Sequence, residues 1–218
     1  MKALEAEERA QFMLLMRARG VQDLAVLRAL ERAPRARFMP QRYRDVCGQD
    51  IALPIGGGQT AAPPSVVAMM AAALRLEPGH SVLEIGSGTG YASALVGQMA
   101  GKVAAVERCQ SLALEAAARL KALGVGNVAV HWADGLDWLR GAERFDRILV
   151  HALIEPPVDG WMRLLNPGGA LVAVLADDGA GGQRVMRLTR GPSGAPVAVD
   201  GGMARSFRPL ARGVSGAI

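Results

Sequence analysis

At 218 residues the chain is long enough for one generous domain and too short for two full ones. Half of its residues are hydrophobic and 21% are charged, which excludes disorder as the main state, and Cys47 and Cys109 alone make neither a disulfide framework nor a structural zinc site. The net charge of +5 is uneven, at +4 over residues 1–45, −4 over 46–180 and +5 over 181–218, and with aromatics at only 4% it predicts no stable nucleic-acid partner. No apolar run reaches the length of a membrane span, and the charged start MKALEAEERA is not a secretory leader, so a soluble, cytoplasmic protein is expected.

From Glu5 to Arg32 the apolar positions Phe12, Leu15, Met16, Leu24, Leu27 and Leu30 recur at helical spacing, and Gly20 divides them into two short amphipathic helices. Pro34 and Pro40 end that pattern, and residues 40–64, with Gly56-Gly57-Gly58 and Pro63-Pro64, read as irregular. Arg32, Arg35, Arg37, Arg42 and Arg44 read as a solvated face. A helix is predicted from Met69 to Leu74, stopped by Pro78-Gly79.

Beyond Pro78 short apolar strands alternate with longer helical stretches. Strands are predicted at Ser81–Ile85, Lys102–Glu107, Asn127–Trp132, Phe145–His151 and Ala170–Leu175, with helices at Gly90–Met99, Ser111–Leu123 and Pro157–Leu165. That alternation predicts an α/β fold, doubly wound around a mostly parallel sheet, with strands Gln183–Arg190 and Pro196–Asp200 as an antiparallel edge. Residues 201–218 carry no readable period. The division expected is 1–64, N-terminal helices and a loop packed on the core, and 65–218, the core itself.

The strongest motif is Glu84-Ile85-Gly86-Ser87-Gly88-Thr89-Gly90, which follows a buried strand and opens a helix. Glycines let a backbone turn sharply and approach a ligand, and the helix start presents free N–H groups. Its G-x-G-x-G spacing disfavours a dinucleotide site, which takes G-x-G-x-x-G. Glu107 ends the second strand, where a carboxylate accepts from a ribose diol, and Asp134 follows the third, placed for an adenine amino group. Three such features at successive strand ends define a ligand crevice. Trp132 and Trp138 flank Asp134 and read as core packing, His80 and His131 read as structural, and Cys109 reads as a buried thiol without a role.

This loop resembles the first motif of the class I S-adenosylmethionine-dependent methyltransferases, and Leu165-Asn166-Pro167-Gly168-Gly169 resembles their late L-x-P-G-G motif. Upstream, Pro34-Arg35-Ala36-Arg37-Phe38-Met39-Pro40 and Pro54-Ile55-Gly56-Gly57-Gly58-Gln59-Thr60 are similar to the P-R-x-x-F-V-P and P-I-G-x-G-Q-T-I-S stretches of the protein-L-isoaspartate O-methyltransferase family, with Phe207-Arg208-Pro209-Leu210 near the end. The resemblance implies S-adenosylmethionine as cofactor, with S-adenosylhomocysteine as product, held by Gln59, Glu84, Gly86, Ser87, Gly88, Gly90, Glu107, Arg108, Asp134 and Gly135. It implies no metal. The acceptor it implies is the carboxylate of isoaspartyl residues in damaged peptides or proteins, methylated as a repair step.

Two positions depart from the family. Its loop serine, placed at the acceptor carboxylate, is Ala62 here, leaving Thr60 and Ser65 as the nearest hydroxyls. The small, Ala- and Gly-rich segment after its fourth strand is replaced by Val150-His151-Ala152-Leu153-Ile154-Glu155-Pro156-Pro157. Thr60 and His151 are therefore the catalytic candidates: Thr60 as a donor to the acceptor, His151 as a general base, with a histidine held by backbone as the bland reading. These departures keep two alternatives open, a paralogue that methylates another acceptor (a small molecule or modified peptide) and a cofactor-binding protein that has lost transfer.

Overall fold

The computed structural model describes residues 2–177, 182–204 and 207–216. The first helix, α1 (Lys2–Ala18), stops at Gly20, whose φ of +89° lies in the left-handed region. Asp23 then caps α2 (Leu24–Arg32), its carboxylate accepting from the N–H groups of Ala25 and Val26 at 2.8 and 3.1 Å. After short 3₁₀ turns comes a small hairpin of β1 (Leu53–Pro54) and β2 (Thr60–Ala61). The next helix, α3 (Pro64–Leu74), begins five residues before the expected Met69. Proline in the first turn has no N–H to lose there, so Pro63-Pro64 launches the helix instead of breaking it.

The remaining elements are β3 (Ser81–Ile85), α4 (Tyr91–Gly97), β4 (Lys102–Glu107), α5 (Gln110–Ala122), β5 (Val128–Trp132), β6 (Phe145–Leu153), α6 (Asp159–Arg163), β7 (Leu165–Ala176), β8 (Gln183–Arg190) and β9 (Pro196–Ala204). The predicted strands are all present, three of them longer than expected. β6 runs past His151, β7 starts at Leu165 because Leu165 pairs with Phe145 ahead of a register shift, and β9 continues through a bulge at Gly201 to Ala204. A strand that bulges at glycine shows no alternation to read. The helix expected over 157–165 is only Asp159–Arg163.

The sheet order is β5-β4-β3-β6-β7-β8-β9, parallel from β5 to β7 and antiparallel at the β8 and β9 edge. The chain enters at β3, steps outward to β5, and returns to lay β6 against the other side of β3. The order thus reverses between β3 and β6, and an open α/β sheet binds its ligand in the crevice outside the strand ends at that point.

Both sheet faces are covered. Met70 and Leu74 of α3 pack with Val82, Leu149 and Val172 on one, while Trp161 and Met162 of α6 pack with Leu83, Ile85, Ile148 and Leu171 on the other. A third cluster joins Met16, Leu27 and Leu30 of the first two helices to Phe38, Val67, Tyr91, Leu95 and Leu112. It draws members from both sides of residue 64 and clamps the 53–62 loop over the carboxyl ends of β3 and β4. Each such side chain is worth about 1.5–3 kcal/mol of burial.

Candidate active site

The glycine loop turns through three left-handed residues, Gly86, Gly88 and Gly90, with φ of +82°, +54° and +85°. At Gly90 a side chain would be strained by the backbone and also crowded, since an added Cβ would lie 3.1 Å from the Cβ and 3.3 Å from the Cα of Ala116. This close approach lets α5 pack directly against the start of α4.

Two strand-end carboxylates face the loop. Glu107, 4% exposed, accepts from Gly88 N–H at 2.8 Å and from Cys109 N–H at 2.9 Å. Asp134, 6% exposed, accepts from Leu136 N–H at 2.8 Å and Gly213 N–H at 2.6 Å. Backbone donors orient both groups, and each carboxylate retains further lone pairs for a ligand's hydroxyls or amino group. An added Cβ at Gly135 would meet Ile85 Cγ2 at 2.5 Å, so that glycine serves close packing behind Asp134.

Glu84 is fully buried at the end of β3. Its Oε1 lies 3.0 Å from Nε2 of His151, across the switch point on β6, whereas Oε2 has no hydrogen-bond partner among the described residues. The contact is a hydrogen bond between the glutamate and the ring nitrogen, with the donor set by the imidazole's tautomer. His151 is thus held by a carboxylate and not by backbone, and the nitrogen facing Glu84 is committed. The hydroxyl of Ser87 is likewise buried without a partner.

The 53–62 loop closes one side of the crevice. A Cβ added at Gly57, whose φ is +61°, would lie 2.9 Å from Sγ of Cys109, and one at Gly88 would lie 3.5 Å from Cδ1 of Ile55. The loop therefore rests on the glycine loop and on the residue that opens α5. Gln59 folds back on its own loop, its amide donating to Gly57 O at 3.2 Å, and Thr60 is exposed in the hairpin opposite Pro54. Ser65 is already engaged, its N–H and hydroxyl donating to Asp50 at 2.9 and 2.8 Å.

Arg35 overturns the expected solvated arginine face at one position. It is 4% exposed, and its guanidinium donates to the carbonyls of Cys47, Gln49, Ile51 and Ala62 at 3.4, 3.2, 2.9 and 3.1 Å. Burial lowers its pKa, and burial likewise pushes the nearby Tyr91 phenol up. One buried cation thus ties four carbonyls of an otherwise irregular segment to the loop beside the crevice.

The C-terminal residues complete the walls. Arg208 and Leu210 pair with Leu153 at the end of β6, and the segment then crosses to β4 and β5. There Gly213 N–H reaches Asp134, Arg108 donates from Nε to Gly213 O at 2.9 Å, and Ser215 N–H donates to Arg108 O at 2.9 Å. Arg108 therefore holds the chain's own tail. Trp132 is 45% exposed and donates from its indole to Arg108 O at 3.0 Å, while Trp138 packs edge-on against His131. Among the described residues no cluster of three or more His, Cys, Asp or Glu side chains is placed to hold a metal, and no helix is long and apolar enough to cross a membrane.

A parallel sheet reversing at a glycine loop, with acids ending the next two strands, is the fold of the class I methyltransferases. A putative protein-L-isoaspartate O-methyltransferase from Plasmodium falciparum, solved in complex with S-adenosyl-L-homocysteine, shares that fold, with a TM-score of 0.75 at 18% identity over 92% of this chain and 96% of that one. Within the class the family is shown by sequence: the profile of the protein-L-isoaspartate(D-aspartate) O-methyltransferases matches residues 7–212, and the chain belongs to that family. A protein-L-isoaspartate O-methyltransferase of Rhodopseudomonas palustris strain BisB5 is 44% identical over 183 residues, 84% of each chain. One from Dinoroseobacter shibae is 38% identical over 211 residues, covering 96% of this chain and 95% of the relative.

Proposed function

We propose that this chain transfers the methyl group of S-adenosylmethionine to the side-chain carboxylate of isoaspartyl residues in damaged peptides and proteins. The observation that carries this reading is the seating of the 53–62 loop beside the cofactor crevice, on the glycine loop through Ile55 and Gly88 and on the residue that opens α5 through Gly57 and Cys109. The residues present fit the cofactor. Glu84 Oε2 and Ser87 Oγ are buried polar atoms awaiting partners, Glu107 is oriented for a ribose diol, and Asp134 for the adenine amino group.

When bound, the cofactor supplies a methyl group on a sulfonium, a leaving group that needs no further activation. The chain's own residues are left to bind, align and exclude water. An isoaspartyl carboxylate is ionised at neutral pH and needs no base, which agrees with a site whose one histidine has Nε2 committed to Glu84. Ala62 contributes a carbonyl to Arg35 and packs against the cluster of the first two helices, so no side-chain hydroxyl is offered at that position.

Radiolabelled methyl transfer to an isoaspartyl peptide, with its aspartyl counterpart as control, tests the proposal. Transfer to the isoaspartyl peptide alone is expected, and Ala62→Ser should change it by less than about tenfold, one neutral hydrogen bond being worth roughly 0.5–1.5 kcal/mol. Retained cofactor binding with no transfer to either peptide would overturn the acceptor assignment in favour of another acceptor or a lapsed transferase.

A further inference from the structure

A carboxylate oxygen that is fully buried with no donor is costly, and Glu84 Oε2 is such an atom. It sits at the end of β3, one residue before the loop that turns into the crevice, so a ligand there can supply the missing donor. On the cofactor reading above, on which this inference rests, the ligand carries two cationic centres. The sulfonium has no N–H to offer, whereas the α-ammonium of the amino-acid arm has three.

The carboxylate is not free to turn. His151 grips Oε1 at 3.0 Å from the neighbouring strand, with its own side chain 10% exposed. The backbone beneath the pair is fixed by the β3–β6 ladder, in which Ile85 pairs with Val150, one residue short of His151.

We propose that His151 is a positioning residue: by fixing Oε1 of Glu84 it aims Oε2 at the α-ammonium of the cofactor. It is neither the general base nor an acceptor ligand. The consequence is selective, because only ligands with the amino-acid arm profit from an aimed Glu84.

Calorimetric titration with S-adenosylhomocysteine, which has the arm, and with 5′-methylthioadenosine, which lacks it, separates this role from plain packing. His151→Ala should weaken S-adenosylhomocysteine binding about tenfold or more, the scale of a hydrogen bond to a charged group, and leave methylthioadenosine within about twofold. His151→Gln, which offers an N–H of similar reach, should recover most of the loss. His151→Leu keeps the packing and reads the same affinity ratio should the alanine variant not fold. Equal losses for both ligands, or no loss for either, would overturn the positioning role while leaving the cofactor reading intact. If the wild-type chain bound neither ligand, the cofactor reading itself would fall and take the proposal with it.

Discussion

The guanidinium of Arg35 shows how one residue can organise a segment that has no regular structure. Four carbonyls, those of Cys47, Gln49, Ile51 and Ala62, converge on it, and each gains a charge-assisted hydrogen bond. Sequence pattern could not reveal this. Arg35 lies between exposed Pro34 and Ala36 in a run of arginines, and neither a helical nor a strand period marks it as buried. Only the P-R-x-x-F resemblance singled it out. The acids at the strand ends were legible because a strand's end can be read from its apolar run. The pairing of Glu84 with His151 was not, since it depends on which strand returns beside β3. Arg35→Ala should cost about 2–4 kcal/mol, read as a shift in the urea midpoint. Arg35→Lys, with one point charge and no fork, should recover only part of it. Because Ala62 is among the four carbonyls, the lysine variant should also raise KM for the isoaspartyl peptide while cofactor affinity stays unchanged. Equal stability of wild type and the alanine variant would remove Arg35 as the clamp.

Among the elements, those with a hydrophobic period were legible and those held by backbone were not. The five parallel strands and the helices between them carry apolar runs that a sequence displays. The final segment carries none, because its hydrogen bonds run from its own N–H and C=O groups to Leu153, Arg108, Gln110 and Asp134. Backbone pairing of this kind leaves no trace in side-chain pattern. Its path takes it from the end of β6 to the residues that follow β4 and β5, where Ser215 pairs with Cys109, the residue on which Gly57 of the 53–62 loop also rests. Deleting the chain from Phe207 onward frees Arg108, uncovers Cys109 and removes the Gly213 donor that orients Asp134. The truncated protein should still fold, since few of its core side chains lie beyond Ala204. Its affinity for S-adenosylhomocysteine should fall about tenfold, a single charge-assisted hydrogen bond being worth roughly 1.5–3 kcal/mol. Unchanged affinity by calorimetry would show that the segment is covering and not part of the binding wall.

At the scale of the whole molecule the first two helices lie in the same core as the fold they precede. Met16, Val26, Leu27 and Leu30 are each at most 5% exposed, in one cluster with Val67 of α3, Leu95 of α4 and Leu112 and Leu120 of α5. Read from sequence alone, two amphipathic helices joined by an irregular linker to a nucleotide-type core invite the idea of a lid that lifts from the site. The packing argues for the opposite. Lifting them would expose the apolar side chains they cover on α3 and α4, at about 25 cal/mol for each Å² returned to water. The polar tethers are few by comparison: Arg19, 56% exposed, reaches the largely buried Asp50 at 3.1 Å, and Gln98 donates to Ala29 O at 3.3 Å. Hydrophobic burial therefore holds the N-terminal helices, and raising salt should not release them. Removing residues 1–32 should lower the melting temperature by more than about 10 °C or abolish soluble expression, the loss of several buried side chains exceeding the stability most domains have to spare. Cofactor affinity should fall with it, because the same cluster seats Ile55 and the 53–62 loop on the glycine loop. A shortened chain that melts with the full-length protein and binds S-adenosylhomocysteine as tightly would make the helices a separable lid after all.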